Sequence, residues 1–488
     1  MTSTTDMAVL LTAAATGLFL LLKKNKHAMI EDSVLSEVVL PSIERSRKNR
    51  YHAHRRRFRS RRSWAEFMGD MSEQQFRRYF RMSKEIFKLL CQQIEDIVGV
   101  EKFMSEEYLK TILSSPHTEQ SNNIYFAHAK STGGVIAGEV KIASTLRILG
   151  GATYMDMALI FDTSFNHMHK IFRHVILNWL SHPSFYNING IEYCSDEERM
   201  KEVALLFARG SNGIIGGCIG ALDGWVVKIK KPTRKDGIRN AKSFYSRKGF
   251  FAVNVQAIVD KKKRVLFRSI MSRGAEHDST AFKNSGLYKW LMQNATVLME
   301  KGYYFIGDSA YALKSFLLTP YDNAMHGTAE DNYNFFHSSS RISVECAFGE
   351  IDLRWGILWK ELEYSLEMNI AIIDVCMRLH NCIVQLRVGN TMDALDRDIF
   401  DDDCRRFYAI NPFHLNEGVS GGEEDVRLDE DGNAVRGGRP SNIEKESSEW
   451  GKTWRNEIRD EILRQKLIRP PTNYYRDRNR VLEDYNNY

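Results

Sequence analysis

Three carboxylates, Asp223, Asp308 and Glu345, are spaced along the chain as a metal-assisted phosphoryl-transfer site would need them. Asp223 stands inside the apolar, glycine-punctuated run GIIGGCIGALDGWVVKI, where an unpaired charge is expensive to bury and calls for a compensating partner. A divalent cation is one such partner. Asp308 closes the short apolar run YYFIGD, and strand ends in open α/β sheets are where sites collect. Glu345 falls in RISVECAFGEIDLRWGIL, off the helical face formed by Val344, Phe348, Ile351 and Trp355. Hard oxygen ligands from two strands and one helix can hold two Mg²⁺ (or Mn²⁺) ions roughly 3.5–4 Å apart, one activating the attacking oxygen and one stabilising the leaving oxygen. That chemistry needs no side-chain nucleophile, and the sequence holds no nucleophile-elbow motif. Spacing alone leaves the ordinary alternative open, because 62 acidic residues offer many triples that serve only as caps, turns and surface ion pairs.

Between the first and second carboxylates the chain is strongly basic. Nine Lys and Arg residues lie from Lys228 to Lys248, among them Lys230, Lys231, Arg247 and Lys248, against the single acid Asp236. A carboxylate cluster beside a basic loop suits a polyanion held against metal ions, and does not suit a protease or a glycosidase.

The elements that would position these residues can be read from periodicity. After the apolar run at Gly213, FFAVNVQAIVD alternates with period two through Phe251, Val253, Val255, Ala257 and Val259, and RVLFRSIM supplies a third strand. A helix covers Thr280 to Gln293, a short strand ends at Asp308, and a helix carries Glu345. Strands first, then strand and helices, describe an α/β core. Upstream, Ser63 to Asp96 is amphipathic and helical, and Glu139 to Leu180 reads as helix, Gly150-Gly151 break, helix, polar turn at Asp162-Thr163-Ser164, and helix. Two short helices joined by a tight turn fit a helix-turn-helix unit, with Asn166, His167, His169, Lys170 and Arg173 available to a DNA groove. A plain helical hairpin fits the same pattern.

The blocks GCIGALDGWVVKIKKP, FYSRKGFFAVNVQAIVD, GAEHDS, IGDSAYALKSFLLTPY, RISVECAFGEIDLRWGIL and CMRLHNC resemble, in order, those of the PIF/Harbinger transposases and the nucleases derived from them. The likeness runs from about Gly216 to Cys382, and FRRYFRMSKEIF with the helix-turn-helix stretch resembles the family's N-terminal region. It implies a ribonuclease H-like fold carrying a catalytic and metal-binding triad of Asp223, Asp308 and Glu345. Asp278 matches a further recurrent position, taken as an auxiliary carboxylate, and Arg341, one turn before Glu345, could orient that carboxylate or contact phosphate. The family further implies double-stranded DNA with terminal inverted repeats as substrate, strand transfer as well as cutting, a homo-oligomer of at least two chains, and a Myb-like helper protein. In one departure, Glu350 and Asp352 stand where members often carry a basic residue, which would weaken local DNA affinity.

The rest of the chain sets the frame. Of 488 residues, 43% are hydrophobic and 27% charged, as in a folded soluble protein. The net charge of +6 is local: ten basic residues and no acid lie from Arg45 to Arg62, reading as a nuclear-localisation or DNA-contacting arm, or as a merely solvated charge run. Seven cysteines without zinc-ribbon spacing favour reduced thiols in cytosol or nucleus over a disulfide framework. Met7 to Leu22 is uncharged, short for a membrane span, and preceded by Asp6 with no basic residue, unlike a secretory signal; its other reading is an apolar helix packed on the body. The expected organisation is an arm over 1–62, a helical DNA-binding region over 63–200 with the helix-turn-helix near 140–180, a nuclease domain over 213–388, and a partly disordered polar tail over 389–488 with at most one helix, Trp450 to Lys466. Nuclear localisation follows from this reading. The competing class is a domesticated DNA-binding protein that no longer cuts.

Overall fold

The computed structural model describes residues 64–98, 136, 138–161, 163, 165–181, 188–386, 427–428, 434–435 and 441–469. The apolar run 7–22, the basic arm 45–62 and the greater part of the polar tail lie outside the described residues. The N-terminal part is helical: α1 (Trp64–Gly69), α2 (Glu73–Phe80), α3 (Lys84–Val98), α4 (Gly138–Leu149), α5 (Tyr154–Ile160), α6 (Phe165–Ser181), α7 (Gly190–Ser195) and α8 (Glu197–Arg209). Local chemistry sets several of these starts. Ser72 and Thr153 open α2 and α5 with capping boxes, their hydroxyls accepting from the Gln75 and Asp156 N–H groups while those side chains accept in return. The break between α4 and α5 uses Gly151 at φ +103°, a left-handed conformation that suits glycine. Asp162 and Ser164, read as caps for α6, lie outside the described residues.

The sheet follows: β1 (Cys218–Lys228), β2 (Ala252–Val259), β3 (Val265–Arg273), then α9 (Asp278–Lys283) and α10 (Gly286–Glu300), β4 (Tyr304–Ile306), β5 (Leu317–Leu318), α11 (Ala329–Arg354) and α12 (Leu366–Leu386). Its order is β3-β2-β1-β4-β5; β1, β2 and β3 are antiparallel, whereas β4 and β5 run parallel to β1. All eight residues of β2 are buried, as a strand near the middle of a covered sheet requires. The architecture is therefore mixed α/β.

Three sequence expectations are refined. The run from Gly213 becomes a strand only at Cys218. The single helix expected over Thr280 to Gln293 is two, because Ser285 accepts from the Tyr288 N–H and starts α10 afresh. The strand expected to end at Asp308 ends at Ile306, leaving Asp308 in the turn beyond.

Helices and sheet share one apolar core. Arg268 of β3 donates to both carboxylate oxygens of Asp374 on α12 (2.6 and 2.9 Å) and to the Ile188 carbonyl ahead of α7 (2.6 Å), while the Tyr193 hydroxyl on α7 donates to the Ile219 carbonyl of β1 (2.7 Å). Beyond a short strand pair, β6 (Arg427–Leu428) with β7 (Ala434–Val435), lies α13 (Asn442–Arg464). The tail helix is longer than the expected Trp450–Lys466 segment and is docked, not loose. Trp454 meets Tyr304 edge-on at 5.1 Å, Lys314 donates to the Glu444 carbonyl (2.7 Å), and Arg455 lies 3.9 Å over the Tyr321 ring.

Candidate active site

Strand register brings the first two carboxylates together. Asp223 sits in β1 opposite Ala257 of β2, and on the other side Ala221 is level with Ile306 of the parallel β4. Two residues further along each chain come Asp223 and Asp308, so the two acids emerge beside one another at the end of β4. Asp308 is fixed in its turn by accepting from the Ala310 N–H (3.0 Å). The helix α11 crosses the sheet with Val344, Ala347 and Ile351 buried, Phe348 stacked on Trp225 of β1 at 5.4 Å, and Glu345 on its open side, 51% exposed.

Arg341 joins the helix to the strand. One guanidinium nitrogen donates to Asp223 Oδ2 at 2.8 Å and another contacts Glu345 Oε1 at 2.5 Å. The partner that the half-buried Asp223 requires is thus present within the protein. The sequence reading placed Arg341 as an orienter of Glu345, and its link to Asp223 comes from the structure. Burial works against the Arg341 charge, but Asp223, Glu345 and Asp308 together raise its pKa above the ordinary value. Burial also pushes the Asp223 carboxyl up to about 7; Arg341 opposes this, and the neighbouring charges of Asp308 and Asp278 add to it. Asp308 is raised for the same first reason, burial, again against the pull of Arg341.

Asp278, at the start of α9, accepts from the side-chain amides of Asn254 (2.8 Å) and Gln256 (3.0 Å). Gln256 in turn donates to Asn254 Oδ1 (2.7 Å) and accepts from the buried Tyr311 hydroxyl (2.6 Å). Gly224 makes room for this arrangement, since a Cβ there would lie 2.2 Å from Asp278 Oδ1. Asn254, Gln256 and Tyr311 are site residues that sequence reasoning missed. The signal was two amides two positions apart on one face of an otherwise apolar strand.

Among the described residues, no three His, Cys, Asp or Glu side chains converge closely enough to hold a metal ion. The Arg341 guanidinium bridges Asp223 and Glu345, which accounts for their separation from a common point. In donor chemistry the residues nevertheless fit a hard divalent cation. Asp223, Asp308, Glu345 and Asp278 all offer oxygen donors, and Asp223 is raised first by burial and further by the neighbouring charges of Asp308 and Asp278. Asp223, Asp308 and Glu345 are the side chains that could hold such an ion.

The basic residues from Lys228 to Lys248, including Lys230, Lys231, Arg247 and Lys248, are all exposed, as are Lys170 and Arg173 on α6. Glu350 and Asp352, the acids in place of basic residues, are both half-buried. Glu350 is paired with Lys263, and the charge of Asp352 lies near Cys376. Neither is therefore a fully exposed acid on the surface of α11. His380 and Asn381 are buried in α12 and clasp the start of β3: Asn381 exchanges two 2.8 Å hydrogen bonds with the Val265 backbone, and His380 bonds to the Lys263 carbonyl at 2.8 Å.

Residues 222–381 match the family described as DDE superfamily endonuclease, a segment containing all of the acids above. A protein named "Protein ALP1-like" from Arabidopsis thaliana is 27% identical over 223 residues, covering 42% of this chain and 51% of the relative. Proteins named "Putative nuclease HARBI1" from Bos taurus and Rattus norvegicus are 29% and 30% identical over 170 and 172 residues, in each case 34% of this chain and 46% and 45% of the relative. The chain thus spans about half the length of the curated relatives it matches. No solved structure matches it. The motif blocks and both comparisons agree in the resemblance they find: residues 222–381 are similar to the DDE superfamily endonuclease family.

Proposed function

We propose that this chain is a DNA endonuclease and strand-transferase that depends on a divalent metal, with Asp223, Asp308 and Glu345 as its catalytic acids. The observation that carries the reading is their arrangement: the middle of β1, the turn after the neighbouring β4 and the helix α11 bring three carboxylates around the same guanidinium. The strand order, three antiparallel strands followed by two parallel ones, supports a ribonuclease H-like core. Mg²⁺ or Mn²⁺ held by the three acids would activate the attacking oxygen and stabilise the leaving oxygen of the cleaved phosphodiester, in the two-ion manner. The protein's own part is positional. Arg341 aligns Asp223 and Glu345, the Asn254–Gln256–Tyr311 network fixes Asp278 beside them, and the exposed basic loop holds the DNA backbone. Lys170 and Arg173 project from α6, the second helix of the α5–α6 pair, and would engage duplex DNA in the manner of a helix-turn-helix, with residues 63–200 as the DNA-binding region and 213–388 as the nuclease domain. Terminal inverted repeats as target, two or more copies per complex, a Myb-like helper and a nuclear location complete the proposal by family likeness.

The test is cleavage of supercoiled plasmid and of an inverted-repeat duplex by the purified full chain in Mg²⁺, Mn²⁺ or EDTA. Metal-dependent nicking supports the enzyme. Salt-sensitive DNA binding without cleavage in either metal, with the helper class of protein supplied, would favour a domesticated protein that binds and no longer cuts.

A further inference from the structure

One aromatic side chain in the basic loop has no role in the site described so far. Tyr245 is 49% exposed, while Ser243, Phe244 and Ser246 around it are buried. Its backbone is pinned: the Tyr245 N–H donates to the Lys242 carbonyl (2.9 Å), and the Ser246 N–H and hydroxyl both donate to the Phe250 carbonyl (2.8 and 2.9 Å). The ring rests edge-on against Phe251, with centroids 5.1 Å apart and planes at 73°. Lys228 and Lys231 lie over the Phe250 and Phe251 rings at 5.2 and 5.8 Å, and Lys242, Arg247 and Lys248 are exposed beside the tyrosine in sequence. The same loop is tied to the turn that delivers Asp278, through Ala275 N–H to the Ser243 carbonyl (3.1 Å) and Gly274 N–H to the Ala252 carbonyl (3.0 Å).

Lysines and arginines alone suffice to hold a duplex by its phosphates. A rigidly mounted aromatic face among them is what single-stranded nucleic acid requires, since every base has a face to stack and the basic groups follow the backbone. We propose that Tyr245 stacks on an unpaired nucleobase of the DNA held by the basic loop, next to the strand that is cut. This deepens the nucleic-acid reading above and rests on it.

The full chain, in EDTA to prevent cleavage, would be titrated with two duplexes of one sequence, one fully paired and one with a short unpaired bubble containing 2-aminopurine. Wild type and Tyr245→Phe are expected to bind the bubble about tenfold more tightly than the paired duplex and to quench the 2-aminopurine. Tyr245→Ala is expected to lose both the preference and the quenching while binding the paired duplex as wild type does. Tyr245→Leu, which keeps an apolar contact with Phe251 but no stacking face, carries the same expectation should the alanine variant fail to fold. Undiminished quenching and preference in these variants would overturn the proposal and leave the ring to a protein partner. Equal binding of both duplexes by wild type would overturn it while sparing the nucleic-acid reading. Binding of neither would overturn both.

Discussion

With one guanidinium bonded to Asp223 and Glu345 and close to Asp308, the charge state of Asp223 depends on Arg341. An unfolded aspartate releases its proton near pH 3.9, whereas burial holds that of Asp223 to about 7. Between those values the folded state keeps a proton that the unfolded state has lost. This residue's contribution to stability therefore falls as pH rises through that window and levels off above about 7. Catalysis runs the other way, because the ionised carboxylate is the form that binds a cation, so nicking should increase as pH passes through 7. Replacing Arg341 by Gln removes the attraction that restrains this carboxyl. We expect its titration to move further up, nicking at neutral pH to fall roughly tenfold or more, and part of the loss to be recovered in mildly alkaline buffer. A pH–rate profile checks this; a uniform loss with an unshifted profile would mean that Arg341 does not tune Asp223.

At the scale of elements, the Glu350–Lys263 pair fastens α11 to the β2–β3 turn. Burial alone would raise the Glu350 carboxyl, but the charges of Lys263, His380 and Arg354 bring it down to about 2. Its stabilisation is thus complete above the ordinary glutamate range and is lost as pH falls toward 2. Glu350→Gln removes the negative charge paired with Lys263 and placed 4.0 Å from the buried Arg354, and we expect a loss of roughly 2–4 kcal/mol in urea unfolding. An unchanged midpoint would contradict that role. How far these elements could be read from sequence depends on what they bury. The strands β1 to β3 were legible because they bury apolar side chains in short runs. The first half of α11 was not, since it buries Asn332, His337 and Ser340, polar residues that erase the helical stripe. Docking of α13 was hidden for a related reason: its inner face runs Ser447, Gly451, Trp454, Ile458, Ile462, so half of it carries no apolar signal. Gly451 is there because a Cβ would lie 2.6 Å from the Lys314 carbonyl. Asp223, Asp308 and Glu345 were legible only through their motif blocks, and Asn254 and Gln256 were passed over as strand polarity.

For the whole molecule, α13 extends the mixed α/β fold past the family-matched segment 222–381. It packs on α11 and beside β4 and β5, the elements that hold Glu345 and Asp308, through Tyr304, Lys314 and Tyr321. Ending the chain before Ser441 should therefore lower the melting temperature and abolish nicking together. Ile462→Ala, at a fully buried position, should cost roughly 2–4 kcal/mol. A truncated chain that melts and cuts like the full one would show that α13 is dispensable. The central claim, that three acids separated along the chain act as one site, is tested most directly by nicking of supercoiled plasmid in Mg²⁺ by the full chain and its Asp223→Asn, Asp308→Asn and Glu345→Gln variants. The expected result is a loss of about a thousandfold or more in each single variant, with double variants no worse than singles, because residues that work as a unit are not additive. Nicking that persists in Asp308→Asn or Glu345→Gln would contradict the account.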